Sequence, residues 1–283
     1  MTTTVDPLKA PLPSAQSKRS WGSVGPLGIG IAGLWLSIMV LLPLAAITSQ
    51  AFSEGWSAFW TAVTDESAVD ALKVTILVSF VVALINVVMG TLIAWVLVRD
   101  DFPGKRIVNS LIDLPFALPT IVASLVLLSL YGPNSPIDIE LNATRPALVI
   151  ALAFVTLPFV VRQVQPVLIE IDKEVEEAAA SLGATNWVIW WKIIFPALAP
   201  AILSGAGLAF TRAIGEFGSV VLIGGNIPGD TQVVSQYIQQ QIEIDSPVDA
   251  SAVSVVLLLI AFVVLLILRI VGRRTSKREE QSR

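Results

Sequence analysis

The sequence contains no cysteine and no histidine in 283 residues. A chain without them builds no disulfide, none of the usual zinc centres, no cysteine nucleophile and no histidine-dependent triad. It also lacks a Gly-x-x-x-x-Gly-Lys-Ser/Thr loop, so any ATP its work consumes is handled by another polypeptide. Charge is scarce too: 14% of the residues are Asp, Glu, Lys or Arg, where soluble domains carry about 25%. What takes its place is apolar. Hydrophobic residues make up 54% of the chain and the mean hydropathy is +0.77, a balance that suits lipid as solvent. The net charge of −4 says little, because the placement of charge matters more here than its sum.

A hydrocarbon core about 30 Å thick takes about 20 helical residues. Six apolar runs answer to that description: 27–51, 72–98, 107–130, 146–161, 200–223 and 250–271. The expected fold is therefore all-α, a polytopic membrane protein with six transmembrane helices. The first run is too long for the apolar part of a signal peptide and reads as an uncleaved helix. The fourth is the shortest; its Pro146 suits the first position of a helix and its Pro158 predicts a kink. Ahead of the runs, residues 1–26 are rich in Thr, Pro and Ser and read as a flexible tail.

Lysine and arginine fall on alternate sides of these runs. Lys9, Lys18 and Arg19 precede the first; Arg99, Lys105 and Arg106 follow the second; Arg162, Lys173 and Lys192 follow the fourth. A basic tail over 272–283 follows the sixth, while the opposite side holds only Lys73 and Arg145. The positive-inside rule then places both termini and the segment 169–200 of this multi-pass membrane protein in the cytoplasm.

That segment, IEIDKEVEEAAASLGATNWVIWWKIIFPALAP, is polar and helical in pattern. Asp172 suits an N-cap, and Glu174, Glu176 and Glu177 fill the first turns, where carboxylates meet the positive end of the helix dipole. Gly183 is expected to end the helix in the left-handed conformation, after which Thr185 caps a second helix running to Pro196. Ala178, Ala179 and Ala180 leave one face almost without bulk.

Polar groups inside the spans are few: Asn86, Asp113, Arg212 and Glu216. An ionisable group there normally faces the bundle interior or water. Asp113, close to Arg106, reads as interfacial. Arg212 and Glu216 are spaced to pair on one helix face. Two stripes of small residues share that span, Ala201-Gly205-Ala209-Ala213 and Gly207-Thr211-Gly215-Ser219, and predict close helix packing at a central helix. Arg212, Glu216, Thr211 and Ser219 are thus pathway candidates, with a charge pair that merely locks helices as the competing reading. Beyond them the Gly-Pro cluster 224–229 is a loop, Val234, Ile238 and Ile242 recur at helical spacing, and Ser246-Pro247 with Asp249 starts the sixth span.

The spacing Glu177-Ala178-Ala179, three residues, Gly183, nine residues, Ile193-x-Phe195-Pro196 resembles the EAA signature of bacterial ABC importer permeases. DLPFALPT at 113–120, LPFVVRQVQPVL at 157–168 and RAIGEFGSVVLIGGNIP at 212–228 further resemble membrane subunits of sulfate/thiosulfate importers, nearer their T-type than their W-type permease. Molybdate permeases share a segment like GEFG, and Phe195 stands where the general signature often has Leu. The resemblance implies a type I importer permease (MetI-like) domain over 65–271, with Glu176, Glu177, Ala178, Ala179, Gly183 and Ala184 coupling it to an ATPase. It implies two ATP-binding subunits that use ATP and Mg, a homologous W-type second permease, an extracytoplasmic sulfate-binding protein touching Asn226, Pro228 and Gln232, and the lipid bilayer. This chain itself is expected to be non-catalytic, with no cofactor, metal or nucleic acid bound. Permeases for molybdate, tungstate or another small oxyanion, and a secondary transporter driven by an ion gradient, are the alternatives.

Overall fold

The computed structural model describes residues 26–280, with side chains for 27–268 and 270, so the expected tail over 1–26 lies outside the described residues but for its last position. The chain divides into two compact units, Met1–Ala46 and Ile47–Arg283. From the first, α1 (Pro26–Leu36) passes through a π-helical turn, Ser37–Leu41, into α2 (Leu42–Ala51), whose last five residues belong to the second, giving an apolar helix over Leu27–Ala51. The wide turn has a local cause. Leu42 N–H donates back five residues to Ser37, just ahead of Pro43, which has no N–H to offer and whose ring needs room.

The second unit contains α3 (Trp56–Thr64), α4 (Glu66–Arg99), α5 (Lys105–Ile112), α6 (Leu114–Ala117), α7 (Thr120–Tyr131) and α8 (Arg145–Glu170). There follow α9 (Lys173–Ser181), α10 (Asn186–Ile189), a π turn at Trp190–Ile194, α11 (Phe195–Ile214), α12 (Val234–Glu243) and α13 (Pro247–Glu280). Its centre is a triple contact of α4, α8 and α11, with α13 laid on α11, α12 and α3. Lipid is as apolar as leucine, so close packing rather than exclusion of water must hold such helices together. Val160 of α8 shows how close: a Cβ added at Gly90 of α4 would lie 2.8 Å from its Cβ, and one at Gly205 of α11 would lie 2.9 Å from its Cα. Ala201, Ala209 and Ala213 are buried along the same stripe as Gly205, and Gly207 faces Leu268 of α13. Over its apolar window α8 is 56% buried and α13 only 17%, which makes α8 the axis of the bundle and α13 a peripheral helix.

The described residues hold five helices long and apolar enough to cross a membrane. The expected third run differs: Asp113, Pro115 and Pro119 split it into α5, α6 and the 12-residue α7, with Leu118 extended ahead of Pro119. Proline biases its predecessor away from helix and supplies no N–H, so two prolines in five residues defeat a continuous span. The fourth span is longer than expected, reaching Glu170 through both Pro158 and Pro166, so Arg162 lies within it rather than in a loop. The helix after Gly183 does not stop at Pro196. Phe195 N–H donates to Trp190 O across the second π turn, one residue before that proline, and the helix continues to Ile214. The last helix likewise carries on past 271 to Glu280.

Candidate functional site

Segment 169–200 folds as its local chemistry dictates. Asp172 accepts from Glu174 N–H at 3.0 Å and opens α9; Thr185 accepts from Val188 N–H and opens α10. Between them Gly183 adopts φ +88°, the left-handed region that a side chain disfavours. Ala184 N–H then reaches Ala179 O at 3.0 Å and Gly183 N–H reaches Ala180 O at 2.9 Å, the paired bonds of a Schellman close. Ala179 and Ala184, brought together by that close, pack against the body of the bundle.

One face of the elbow is fastened and the other is bare. Arg99, at the C-terminal end of α4, pairs with Glu176 and lies 5.6 Å from the Trp95 ring, and Trp95 meets Trp190 edge to face at 5.1 Å. A cleft of about 690 Å3 opens between Trp95, Glu176, Trp190, Glu177, Ala180 and Trp187. Glu177 and Ala178 are exposed, as are Leu182 at 90% and Trp187 at 71%. Large apolar side chains so exposed on a polar segment mark a contact surface. Leu182 and Trp187 were not among the sequence candidates; the seven-residue step from exposed Val175 to Leu182 along α9 is the signal that could have found the first.

A second cluster, also missed, centres on Arg162. Its Nε and Nη2 take Asp113 Oδ1 and Oδ2 at 2.7 and 2.6 Å, its Nη2 also takes Asn109 O, and its Nη1 takes Asn109 Oδ1 and Gln165 Oε1. This fork fastens the broken third span to α8, beside an edge-to-face contact of Phe116 with Phe159 at 5.1 Å.

The fifth span ends sooner than expected. α11 stops at Ile214, and residues 215–224 run as turns, so Glu216 and Ser219 leave the helix that carries Thr211 and Arg212. Arg212 Nη1 still pairs with Glu216 Oε2, although without hydrogen-bond alignment. The Glu216 side chain is 1% exposed and that of Arg212 37%. Glu216 Oε1 accepts Ser219 N–H at 2.9 Å, and the Glu216 carbonyl accepts Ser235 Oγ of α12 at 2.8 Å. Ser219 Oγ is buried without a partner, whereas Thr211 Oγ1 donates back to Gly207 O. Non-helical backbone at membrane depth survives only where protein or trapped water satisfies it. Here Ser124 Oγ of α7 accepts both Leu222 and Ile223 N–H, and a Cβ at Gly218 would lie 2.1 Å from Thr120 Oγ1.

In the following loop Asn226 and Pro228 are exposed, Asn226 with φ +50°. Gln232, expected at the surface, is instead buried, its amide on Gln240 Oε1, because the loop folds back over it. Thr75 of α4 accepts Val234 N–H at 2.8 Å and so fixes the start of α12. Burial, with the charges of Asp65 and Asp249, pushes the Tyr237 hydroxyl up to about 12, so it stays a neutral partner for Asp65, the N-cap of α4.

Similarity to known proteins bears on the family and the fold. A protein of Escherichia coli (strain K12) described as sulfate transport system permease protein CysT is 43% identical over 239 residues, covering 82% of this chain and 86% of the relative. A protein of Synechocystis with the same description is 41% identical over 285 residues, 97% of this chain and 99% of that one. A bacterial alginate ABC transporter, in complex with its alginate pentasaccharide-bound periplasmic protein, superposes with a TM-score of 0.73 at 19% identity, over 88% of this chain and 93% of that one. At that identity the likeness speaks for the fold. Residues 86–277, from the middle of α4 through α13, match the family described as binding-protein-dependent transport system inner membrane component. With most of its length inside that match, and with two relatives above 40% identity, the chain belongs to the binding-protein-dependent transport system inner membrane components.

Proposed function

We propose that this chain is the permease subunit of an ATP-driven importer for sulfate and thiosulfate, moving the anion by alternating access. The solute rests on the relatives, which are described as sulfate transport permeases. The coupling rests on one observation: the elbow is fastened to the bundle through Glu176 and leaves Glu177, Leu182 and Trp187 bare. On this reading both termini and the elbow face the cytoplasm, where the basic residues cluster. Glu176, Glu177, Ala178, Ala179, Gly183 and Ala184 form the handle seated in one of two ATP-binding subunits, which bind the ATP and Mg. A W-type permease completes the pathway, and an extracytoplasmic sulfate-binding protein docks near Asn226 and Pro228, with Gln232 supporting that loop from below.

A continuous helix supports a route by which a push at the elbow would reach the anion. Asn186–Ile214 is one helix of 29 residues, about 44 Å long at about 1.5 Å per residue, with the elbow at one end and Arg212 near the other. Arg99 and Trp95 tie the same elbow to α4, so two of the three central helices move with it. Receptor and ATP shift the bundle only by binding its outward form better than its inward form.

Replacing Gly183 by Val and Glu177 by Arg, in membranes that still contain the chain, should release the ATPase subunits on purification and abolish uptake of labelled sulfate. Normal uptake with the ATPase still attached would refute the coupling. Competition of that uptake by thiosulfate, and none by molybdate, is the expected pattern for the solute.

A further inference from the structure

An importer of oxyanions must do something with the Arg212 guanidinium when no anion is in the path. Resting on the importer function, we propose that the Glu216 carboxylate is an internal stand-in for the transported anion, holding the Arg212 guanidinium while the path is empty and yielding it when an oxyanion arrives. The two halves of the pair are unequal. Glu216 is fixed: its side chain is 1% exposed, Oε1 holds Ser219 N–H, its N–H donates to Ala213 O at 3.2 Å, and its carbonyl holds Ser235 Oγ. Arg212 is the accessible half at 37%, and Glu216 Oε2 is its sole ion-pair partner among the described residues.

A guanidinium presents five N–H donors in a planar fork that matches two oxygens of a tetrahedral anion. With one oxygen of Glu216 as partner, most of that fork is unused. An arginine with an accessible face is costly against lipid, so that face belongs toward water or a partner subunit. The unaligned contact to Oε2 describes a pair attracted by charge and not locked by geometry, which a better-fitting anion can displace. Ser219 Oγ, buried beside Glu216 without a partner, is a spare donor for the carboxylate once Arg212 has gone. Ser235 gives the exchange a control. It links the Glu216 carbonyl to α12, which comes after the exposed loop at Asn226 and Pro228, so a partner pressing on that loop acts through one hydrogen bond on the backbone that carries the carboxylate.

Internal competition lowers apparent affinity by the fraction of time the cation is free. If Glu216 holds Arg212 nine-tenths of the time, binding is about tenfold weaker than Arg212 alone would allow. Such weakening keeps a membrane site from trapping its cargo.

The test uses the whole transporter in nanodiscs, with labelled sulfate as probe, measuring equilibrium binding without receptor or nucleotide and then receptor-dependent uptake. Glu216→Gln should bind sulfate about tenfold more tightly than wild type and turn over more slowly, so that KM and kcat fall together. The double variant Arg212→Gln, Glu216→Gln should assemble and lose the tight binding. A pair that only braces the fold would change the amount of assembled transporter and leave KM alone. Wild type that carries sulfate beside a Glu216→Gln variant with unchanged or raised KM overturns the proposal. Wild type that carries no sulfate overturns the importer reading beneath it. If Glu216→Gln fails to assemble, Glu216→Asp decides, because it withdraws the carboxylate by one methylene: a KM lowered about threefold supports the exchange, and an unchanged one sinks it.

Discussion

Arg162 and Arg212 sit on neighbouring helices of one core, α8 and α11, and they are held in opposite ways. Arg162 spends both edges of its guanidinium on five acceptor contacts to Asp113, Asn109 and Gln165, and so fastens α5 and α6 to the bundle axis. Arg212 meets a single carboxylate oxygen from the turn after its own helix. The first is a rivet between elements far apart in the chain. The second can change partner without any helix coming loose. The same side chain therefore serves as structure or as a mobile part according to how many of its donors are already taken.

The largest expected break in that contrast comes from Arg212→Gln alone. It leaves a fully buried carboxylate without its cation, which should cost about 3 kcal/mol and lower the melting temperature of the detergent-purified chain, while the double variant Arg212→Gln, Glu216→Gln recovers most of the loss. Equal destabilisation by the single and double variants would mean that the pair is no pair. Next comes Arg162→Leu. Because Arg162 and Asp113 are 28% and 48% exposed, solvent screens the pair, and a loss of about 2 kcal/mol is expected rather than the buried-pair figure. Its mark is local: backbone exchange over 105–117 should quicken while that over 195–214 does not. The smallest effect tests the break in the fifth span itself. Ser124→Ala removes the acceptor of Leu222 and Ile223 N–H and should cost about 1 kcal/mol, with faster exchange at those two amides; unchanged protection there would mean that another group satisfies them.

Much of the architecture was legible because its causes are local. The elbow comes from Asp172, Gly183 and Thr185, whose bonds reach two to four residues along the chain. The small-residue stripe of α11 foretold a helix packed against others, and Gly205 against Val160 is that packing. Asp113 read as interfacial, but its partner Arg162 lies 49 residues away and no periodicity points to it. The end of α11 at Gly215 was missed for a similar reason. RAIGEFGSVV carries no proline to stop a helix, and the turn is favoured by Ser124, 98 residues from Leu222, together with the contact of Gly218 with Thr120.

By itself, then, the order of residues determined the apolar solvent, most of the helical runs and the bent polar handle, since composition, capping and charge placement act within a few turns of helix. The tertiary structure alone decided which arginine is riveted by many acceptors and which is held by one carboxylate, that Glu176 is fastened while Glu177 is bare, and that Glu216 leaves its helix. Those outcomes depend on which distant group arrives to accept or donate a hydrogen bond where water cannot, and only the packed chain brings that group into reach.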